Sequence, residues 1–134
     1  MRKKFFLIIV FVIALFVIVN NMISEPTKDD TFLISQAKNT GLTLVMINKY
    51  DSAIEYYSKA LAIDPNDAEC YYWLAIAYSG KEDLPQALNN FNKAIELDPK
   101  YIEAYTMRSE LHRKMGNKDL AEEDLKKASS LKPI

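Results

Sequence analysis

The chain has 134 residues, of which 49% are hydrophobic, with a formal net charge of −1 and a single cysteine, Cys70. This length suits one compact domain, and one cysteine excludes an intramolecular disulfide. Three cations lie at the N-terminus (Arg2, Lys3, Lys4), and without them 14 basic residues stand against 18 acidic ones, a net of −4. A mildly acidic domain lacks the basic surface that nucleic acid requires, so we expect no nucleic-acid partner.

The N-terminal segment is basic at residues 1–4 and free of polar residues from Phe5 to Val19. A helix over these residues would be roughly 22 Å long, but one extended to Ile23 would reach about 28 Å, close to the bilayer core. The segment lacks the pair of small residues that a signal peptidase site needs. It therefore predicts an uncleaved signal anchor over 5–23, with residues 1–4 cytoplasmic and the rest of the chain extracytoplasmic. The alternative is a cleaved signal peptide and a secreted soluble protein.

Polar residues and Pro26 follow the apolar run, and we interpret 24–33 as a linker. Beyond it, Pro65, Pro99 and Pro133 are spaced 34 residues apart. This period divides residues 34–134 into three repeats, 34–67, 68–101 and 102–134.

Aligning the three repeats brings residues of similar size into the same column. Small residues occupy columns 8, 20 and 27, and large ones occupy column 24, which favours two closely packed helices per repeat. The small residues are Gly41, Ala75 and Ser109, then Ala53, Ala87 and Ala121, then Ala60, Ala94 and Ala128. The large residues are Tyr57, Phe91 and Leu125.

This pattern resembles the tetratricopeptide-repeat (TPR) family. The middle repeat carries the resemblance best, as Tyr71-x-x-Leu74-Ala75-x-x-Tyr78, Ala87-x-x-x-Phe91-x-x-Ala94 and Pro99. The first repeat departs from the pattern at Ala37, Thr40 and Leu44, and the third departs at Arg108 and His112. The resemblance implies an all-α fold, a three-repeat TPR α-solenoid of six antiparallel helices, here preceded by a single N-terminal transmembrane helix.

We predict helices at about 33–47, 51–63, 67–80, 84–97, 101–115 and 118–131. Asp83 is expected to cap the fourth helix, with Pro85 in its first turn. Gly116 and Asn117 are expected to end the fifth helix and cap the sixth. Glu122 and Ser129 replace apolar residues of the earlier repeats, so the last helix is predicted to close the stack with a polar face.

By resemblance to the TPR family, the concave groove would be lined by the first helix of each hairpin and would bind a peptide or partner protein. The candidate groove residues are Lys38, Leu42, Glu69, Tyr72, Trp73, Ile76, Thr106 and Glu110. Tyr72 and Trp73 form a candidate hot spot, because Tyr and Trp anchor interfaces. The alternative is that Trp73 packs between adjacent hairpins.

Some TPR proteins grip the C-terminal carboxylate of chaperones, and the corresponding positions here are Lys38, Leu42, Trp73, Glu103 and Met107. Only Lys38 keeps the family's residue, so we expect no chaperone carboxylate clamp. No sequence motif indicates catalysis, a cofactor or a metal, and His112 and Cys70 are interpreted as packing residues. We expect a membrane-anchored, non-enzymatic interaction scaffold. The alternative is a structural subunit of a membrane complex, and self-association is left open.

Overall fold

A computed structural model describes residues 12–13 and 26–133 of the chain, and Val12 and Ile13 are helical and exposed. Six helices follow one another between residues 26 and 133. They are α1 (Lys28–Met46), α2 (Tyr50–Ile63), α3 (Ala68–Gly80), α4 (Leu84–Leu97), α5 (Ile102–Lys114) and α6 (Lys118–Leu131). The predicted all-α architecture of three helical hairpins is confirmed for this part of the chain.

The first helix begins earlier than the sequence pattern suggested. Thr27 accepts a hydrogen bond from the Asp30 N–H at 3.2 Å, while the Asp30 carboxylate accepts one from the Thr27 N–H at 3.0 Å. This capping box starts α1 at Lys28, so the predicted linker over 24–33 is helical from residue 28 onward. Pro26 and Thr27 precede the helix, and residues 24–25 lie outside the described part.

Consecutive helices pair into hairpins, α1 with α2, α3 with α4 and α5 with α6, and each hairpin stacks on the next. The alanines of columns 20 and 27 are buried at all three hairpins, and Tyr57 and Phe91 fill the space between the helices of the first two. A close approach within the first hairpin is at Gly41, where an added Cβ would lie 2.7 Å from Tyr57 Cε2. The small residues in these columns thus set the distance between the two helices of a hairpin.

The turn inside each hairpin has a left-handed residue at the same column. Asn48 has φ 57°, Glu82 has φ 62° and Gly116 has φ 81°, which confirms the role of Gly116 as a helix-ending glycine. Asp83 caps α4 by accepting a bond from the Gln86 N–H at 3.2 Å, as predicted. The capping role expected of Asn117 is wrong in part, because Asn117 precedes α6 but its side chain accepts no capping bond.

The third hairpin departs from the predicted packing. Leu125, expected in the core, is 42% exposed, whereas the neighbouring Asp124 is only 5% exposed. The reason is Arg108, which stands in a packing column and donates from Nε and Nη2 to the two Asp124 oxygens at 2.8 and 2.6 Å. Arg108 also donates to Asn92 Oδ1 at 2.8 Å, which links this ion pair to the second hairpin.

Among residues 12–13 and 26–133, no helix has the length and apolar character needed to span a bilayer. The predicted anchor over 5–23 lies outside the described residues, except for Val12 and Ile13.

Candidate functional site

An open cleft of about 430 Å³ lies where the first helices of the first two hairpins, α1 and α3, run side by side. Its wall includes the end of α2 as well. The lining residues are Pro26, Thr31, Ile34, Ser35, Lys38, Asn39, Leu42, Tyr57, Asp64, Glu69 and Trp73.

Lys38 bridges the two hairpins on one wall of the cleft. Its Nζ donates to Asp67 Oδ2 at 2.9 Å and forms a second ion pair with Glu69. Burial alone would lower the pKa of Lys38, but the hydrogen bonds to Glu69 and Asp67 outweigh it and raise the pKa above its usual value. Lys38 is therefore fully charged at neutral pH and is already paired within the protein.

Asp67 joins this ion pair to the start of α3. Its Oδ1 accepts a bond from the Cys70 N–H at 3.0 Å, which caps the helix. Burial by itself would raise the pKa of Asp67, but the hydrogen bonds from Lys38 and the Cys70 N–H lower it below its usual value. Asp67 is thus held as a carboxylate, and it carries its charge into a half-buried position.

The charge of the cleft is negative. Asp64 and Glu69 line it and Asp67 pairs with Lys38 at its edge, so the described residues place three carboxylates and one cation there, a formal net of −2. Glu69 is more than half exposed, which leaves its carboxylate accessible to a ligand. The cleft therefore favours a cationic ligand group over an anionic one.

Trp73 has a double role at this site. It is half-buried, it packs against the apolar core of the first hairpin, and its side chain also lines the cleft. The packing contact agrees with the alternative that Trp73 packs between adjacent hairpins, and the hot spot stays a prediction.

Tyr72 lies edge-on to Trp73, with ring centroids 5.2 Å apart, and also contacts Phe91 and Tyr101 at 6.0 and 5.1 Å. Burial, with a smaller contribution from Glu103, raises the pKa of the Tyr72 hydroxyl. Tyr72 therefore supports Trp73 from behind and does not line the cleft.

The remaining predicted groove residues fall in different places. Leu42 lines the cleft, whereas Ile76 packs against the core of the second hairpin. Thr106 and Glu110 are exposed on α5 outside the cleft, where Glu110 forms an ion pair with Arg113. The structure thus brings Lys38, Leu42, Glu69 and Trp73 together and leaves the α5 residues apart.

Several cleft residues were not expected from the sequence. Pro26 and Thr31 precede the predicted start of the first helix, Tyr57 lies on α2 and Asp64 directly follows it. The Thr27–Asp30 capping box was the available signal for the first two. Nothing in the column pattern marked Tyr57 as more than a core residue.

Neither His112 nor Cys70 has the surroundings of a reactive group. His112 is buried with Nε2 3.9 Å from Asp124 Oδ2, and its Nδ1 has no hydrogen-bond partner among the described residues. Burial, followed by the charge of Asp67, raises the pKa of the Cys70 thiol to about 12, which keeps it protonated. Within residues 12–13 and 26–133, no group of three or more His, Cys, Asp or Glu side chains is placed to hold a metal ion.

Comparison with known proteins identifies the repeats. Residues 41–82 match a model described as TPR repeat, and residues 68–101 and 90–123 match two models described as tetratricopeptide repeat. The chain is 31% identical to serine/threonine-protein phosphatase 5 of Mus musculus over 110 residues, 81% of this chain but 22% of the phosphatase. It thus spans about a fifth of that relative's length.

Two solved structures are similar in fold. The first TPR of Spaghetti (RPAP3), bound to the HSP90 peptide SRMEEVD, has a TM-score of 0.71 at 26% identity, over 75% of this chain and 79% of that one. A crystal structure of MamA has a TM-score of 0.70 at 26% identity, over 73% of this chain and 57% of that one.

Proposed function

We propose, since the chain belongs to the tetratricopeptide-repeat family, that it is an interaction scaffold which binds a segment of a partner protein in the cleft between α1 and α3. The open cleft itself is the observation that carries this proposal, because it combines a half-buried tryptophan with accessible polar groups. A concave site with an aromatic anchor and a few polar groups is typical of peptide recognition.

The charge of the cleft indicates the chemistry of the segment. Asp64 and Glu69 line the same cleft as Trp73 with their carboxylates, and Lys38 is already paired. A Lys or Arg side chain in this position would pair with Glu69 and lie close to the tryptophan ring. Ile34 and Leu42 add apolar contacts for the neighbouring residue of the segment. The proposed ligand is therefore a basic residue flanked by an apolar one.

The ligand proposed for this chain differs in charge from the peptide bound by one structurally similar TPR domain. The first TPR of Spaghetti is bound to the peptide SRMEEVD, which carries three acidic side chains. In our chain, Glu69 and Asp64 would repel such a peptide, and the two ion pairs of Lys38 compete with a ligand carboxylate. We therefore propose that the cleft does not act as a chaperone carboxylate clamp.

We further propose that residues 5–23 anchor the protein in a membrane with the repeats extracytoplasmic, and that the protein acts by binding and not by catalysis. The length and apolar character of 5–23 and the cations at 2–4 support the anchor. N-terminal sequencing of the mature protein tests it. An intact N-terminus is expected, whereas a mature chain that starts near Glu25 would make the protein secreted.

Trp73 is the only tryptophan in the chain, so its fluorescence reports directly on the cleft. We would titrate the full chain in detergent micelles with three nonapeptides: one with a central Arg between leucines, its Glu-substituted version, and SRMEEVD with two N-terminal glycines. A saturable change in Trp73 emission is expected with the Arg peptide and with neither of the other two peptides. Equal responses to all three peptides, or a response to SRMEEVD only, would contradict the proposed chemistry.

Glu69 and Glu55 provide a matched pair of variants. Both are exposed glutamates with a lysine partner, but Glu55 pairs with Lys59 on α2, outside the cleft. Glu69→Lys should weaken binding of the Arg peptide by about tenfold or more, since like charges then meet in the cleft. Glu55→Lys should leave it unchanged.

A further inference from the structure

The outward side of α1 has a different character from the rest of the surface. Six exposed residues form it, which we call the α1 outer face: Phe32, Gln36, Asn39, Thr43, Met46 and Ile47. None is charged, and Lys38 is the only charged residue between Thr31 and Asn48. Phe32, Met46 and Ile47 are 66%, 75% and 55% exposed, which is unusual for large apolar side chains.

These residues are spaced along the helix like one side of a two-helix contact. Phe32, Gln36, Asn39, Thr43 and Met46 recur at intervals of four and three residues, the spacing of a continuous helical stripe. The buried residues of α1, Ile34, Ala37 and Gly41, lie on the other side of the helix and face α2. The stripe is therefore open to a partner without any change in the fold.

The stripe is also nearly symmetric from end to end. Its large apolar residues lie at the two ends, and polar residues occupy the middle. A two-fold axis between Asn39 and Thr40 would place two copies of α1 antiparallel. Phe32 would then face Ile47 of the second copy, and Gln36 would face Thr43. Such an isologous contact uses the same face twice and closes on itself.

The charges at the ends of α1 agree with this arrangement. Asp29 and Asp30 lie in the first turn, while Lys49 follows the last turn with its N–H donating to the Leu44 carbonyl at 2.8 Å. Antiparallel α1 helices bring Lys49 of each copy to the acidic first turn of the other. Their helix dipoles also oppose each other favourably.

The other end of the stack cannot offer the same contact. The exposed side of α6 carries Glu122, Glu123, Lys126 and Lys127. A head-to-tail contact would bury Phe32 and Met46 against these charges, at a large desolvation cost. The geometry points to a second copy of this chain as the occupant of the α1 outer face, in a closed dimer formed through antiparallel α1 helices.

Asn39 also lines the cleft, but the apolar ends and the charges on which the proposed dimer rests do not. Pairwise cross-linking tests the dimer. Full chains carrying Phe32→Cys and Ile47→Cys, with tags of different size, are coexpressed, and membranes are treated with a mild oxidant. Disulfides are expected between the two variants, and not within either variant alone, because residues 32 and 47 of one helix are about 22 Å apart. Cys70 is fully buried, so the wild-type chain serves as the control.

Homotypic cross-links, which indicate parallel helices, would overturn the proposal. The absence of cross-links in the mixture would also overturn it. That result would mean that dimers form through residues 5–23, that this segment covers the α1 outer face, or that the chain is monomeric. Charged variants at residues 32 and 47 provide a second test that does not depend on cysteine chemistry. Phe32→Glu with Ile47→Glu should abolish the dimer in light scattering of the full chain in micelles, while Phe32→Lys with Ile47→Glu should retain it. Equal behaviour of the two variants, with unchanged helical circular dichroism, would contradict the antiparallel contact.

Discussion

The first and last hairpins share a backbone design but differ in how their side chains are used. In the first hairpin Tyr57 is completely buried against Gly41, and the polar residues Lys38 and Asn39 line the open cleft. In the last hairpin, Arg108 and Asp124 are turned inward as a buried ion pair, and Leu125 is exposed. Polar groups thus line an open cleft at one end and form an internal ion pair at the other.

A second difference concerns the space left between helices. Tyr71 and Tyr105 occupy column 4 in the second and third repeats, whereas the first repeat has Ala37 there. Beside Ala37 a second cleft of about 260 Å³ opens between α1 and α2. The first hairpin is therefore less completely filled, since a cleft with a mainly apolar wall lies within it.

The largest expected effect comes from breaking the buried pair of the last hairpin. Asp124→Ala leaves the Arg108 guanidinium mostly buried without its bidentate partner, and we expect a loss of about 3 kcal/mol in the free energy of unfolding. Urea denaturation followed by circular dichroism measures it. Glu123→Ala, at an exposed neighbouring position, is the control and should cost less than about 0.5 kcal/mol.

The double variant Arg108→Leu with Asp124→Leu sharpens the same point. Because both charges are removed together, stability should return to within about 1 kcal/mol of wild type. A double variant as unstable as Asp124→Ala would show that the ion pair is needed for the packing itself.

The ion pair at the cleft is expected to contribute less and to depend on pH. Asp67→Asn removes the charge that pairs with Lys38 and should cost about 1.5 kcal/mol at neutral pH. Because the pKa of Asp67 is lowered in the folded state, this stabilisation is present above the unfolded pKa and lost as pH falls through the folded one. The difference between wild type and variant should therefore shrink below about pH 4. A difference that stays constant down to pH 2 would exclude the charge as its origin.

A smaller effect is expected at the tight contact of the first hairpin. In Gly41→Ala the added methyl would meet the Tyr57 ring at 2.7 Å, and the strain exceeds the gain in helix propensity. We expect a net loss of about 1 kcal/mol in urea denaturation. Ser58→Ala, exposed on α2, should be nearly neutral, so an equal loss in both variants would contradict the steric explanation.

Effects no larger than this are expected in the turns, where the hairpins resemble one another. Glu82 is held at φ 62°, a left-handed conformation that glycine adopts without a steric penalty. Glu82→Gly should stabilise the protein by about 0.5 kcal/mol, and Gly116→Ala should destabilise it by about 1 kcal/mol. Thermal unfolding of both variants, which should shift in opposite directions, checks this prediction.

Much of the fold could be predicted from the sequence because its turns are marked by particular residues. Five of the six helices begin and end within one residue of the predicted bounds, since Pro, Gly and Asp signals separate them. The start of α1 was missed because its capping box uses Asp30, where Glu or Gln is the usual partner. Local signals of this kind predict the ends of a helix well when the residue type is typical of its position.

The site was less predictable, because the column pattern describes one repeat at a time. It placed Lys38, Leu42, Glu69 and Trp73 correctly on the first helices, and these do line one cleft. It did not indicate that Lys38 would be paired across hairpins with Asp67. The Arg108–Asp124 pair was missed for the same reason, since its partners are 16 residues apart in different columns. Pairings between columns depend on side-chain geometry that periodicity does not describe.

Photo-cross-linking in intact membranes tests the difference between the two ends most directly. A benzophenone amino acid would be placed in the full chain at Ser35, an exposed residue of the cleft, or at Thr106, an exposed first-helix residue of the third hairpin. We predict a partner adduct at Ser35 that is suppressed by the Arg nonapeptide and by Glu69→Lys, and none at Thr106. Adducts at Thr106 that match or replace those at Ser35, or the absence of any peptide-sensitive adduct at Ser35, would contradict a binding site confined to the first two hairpins.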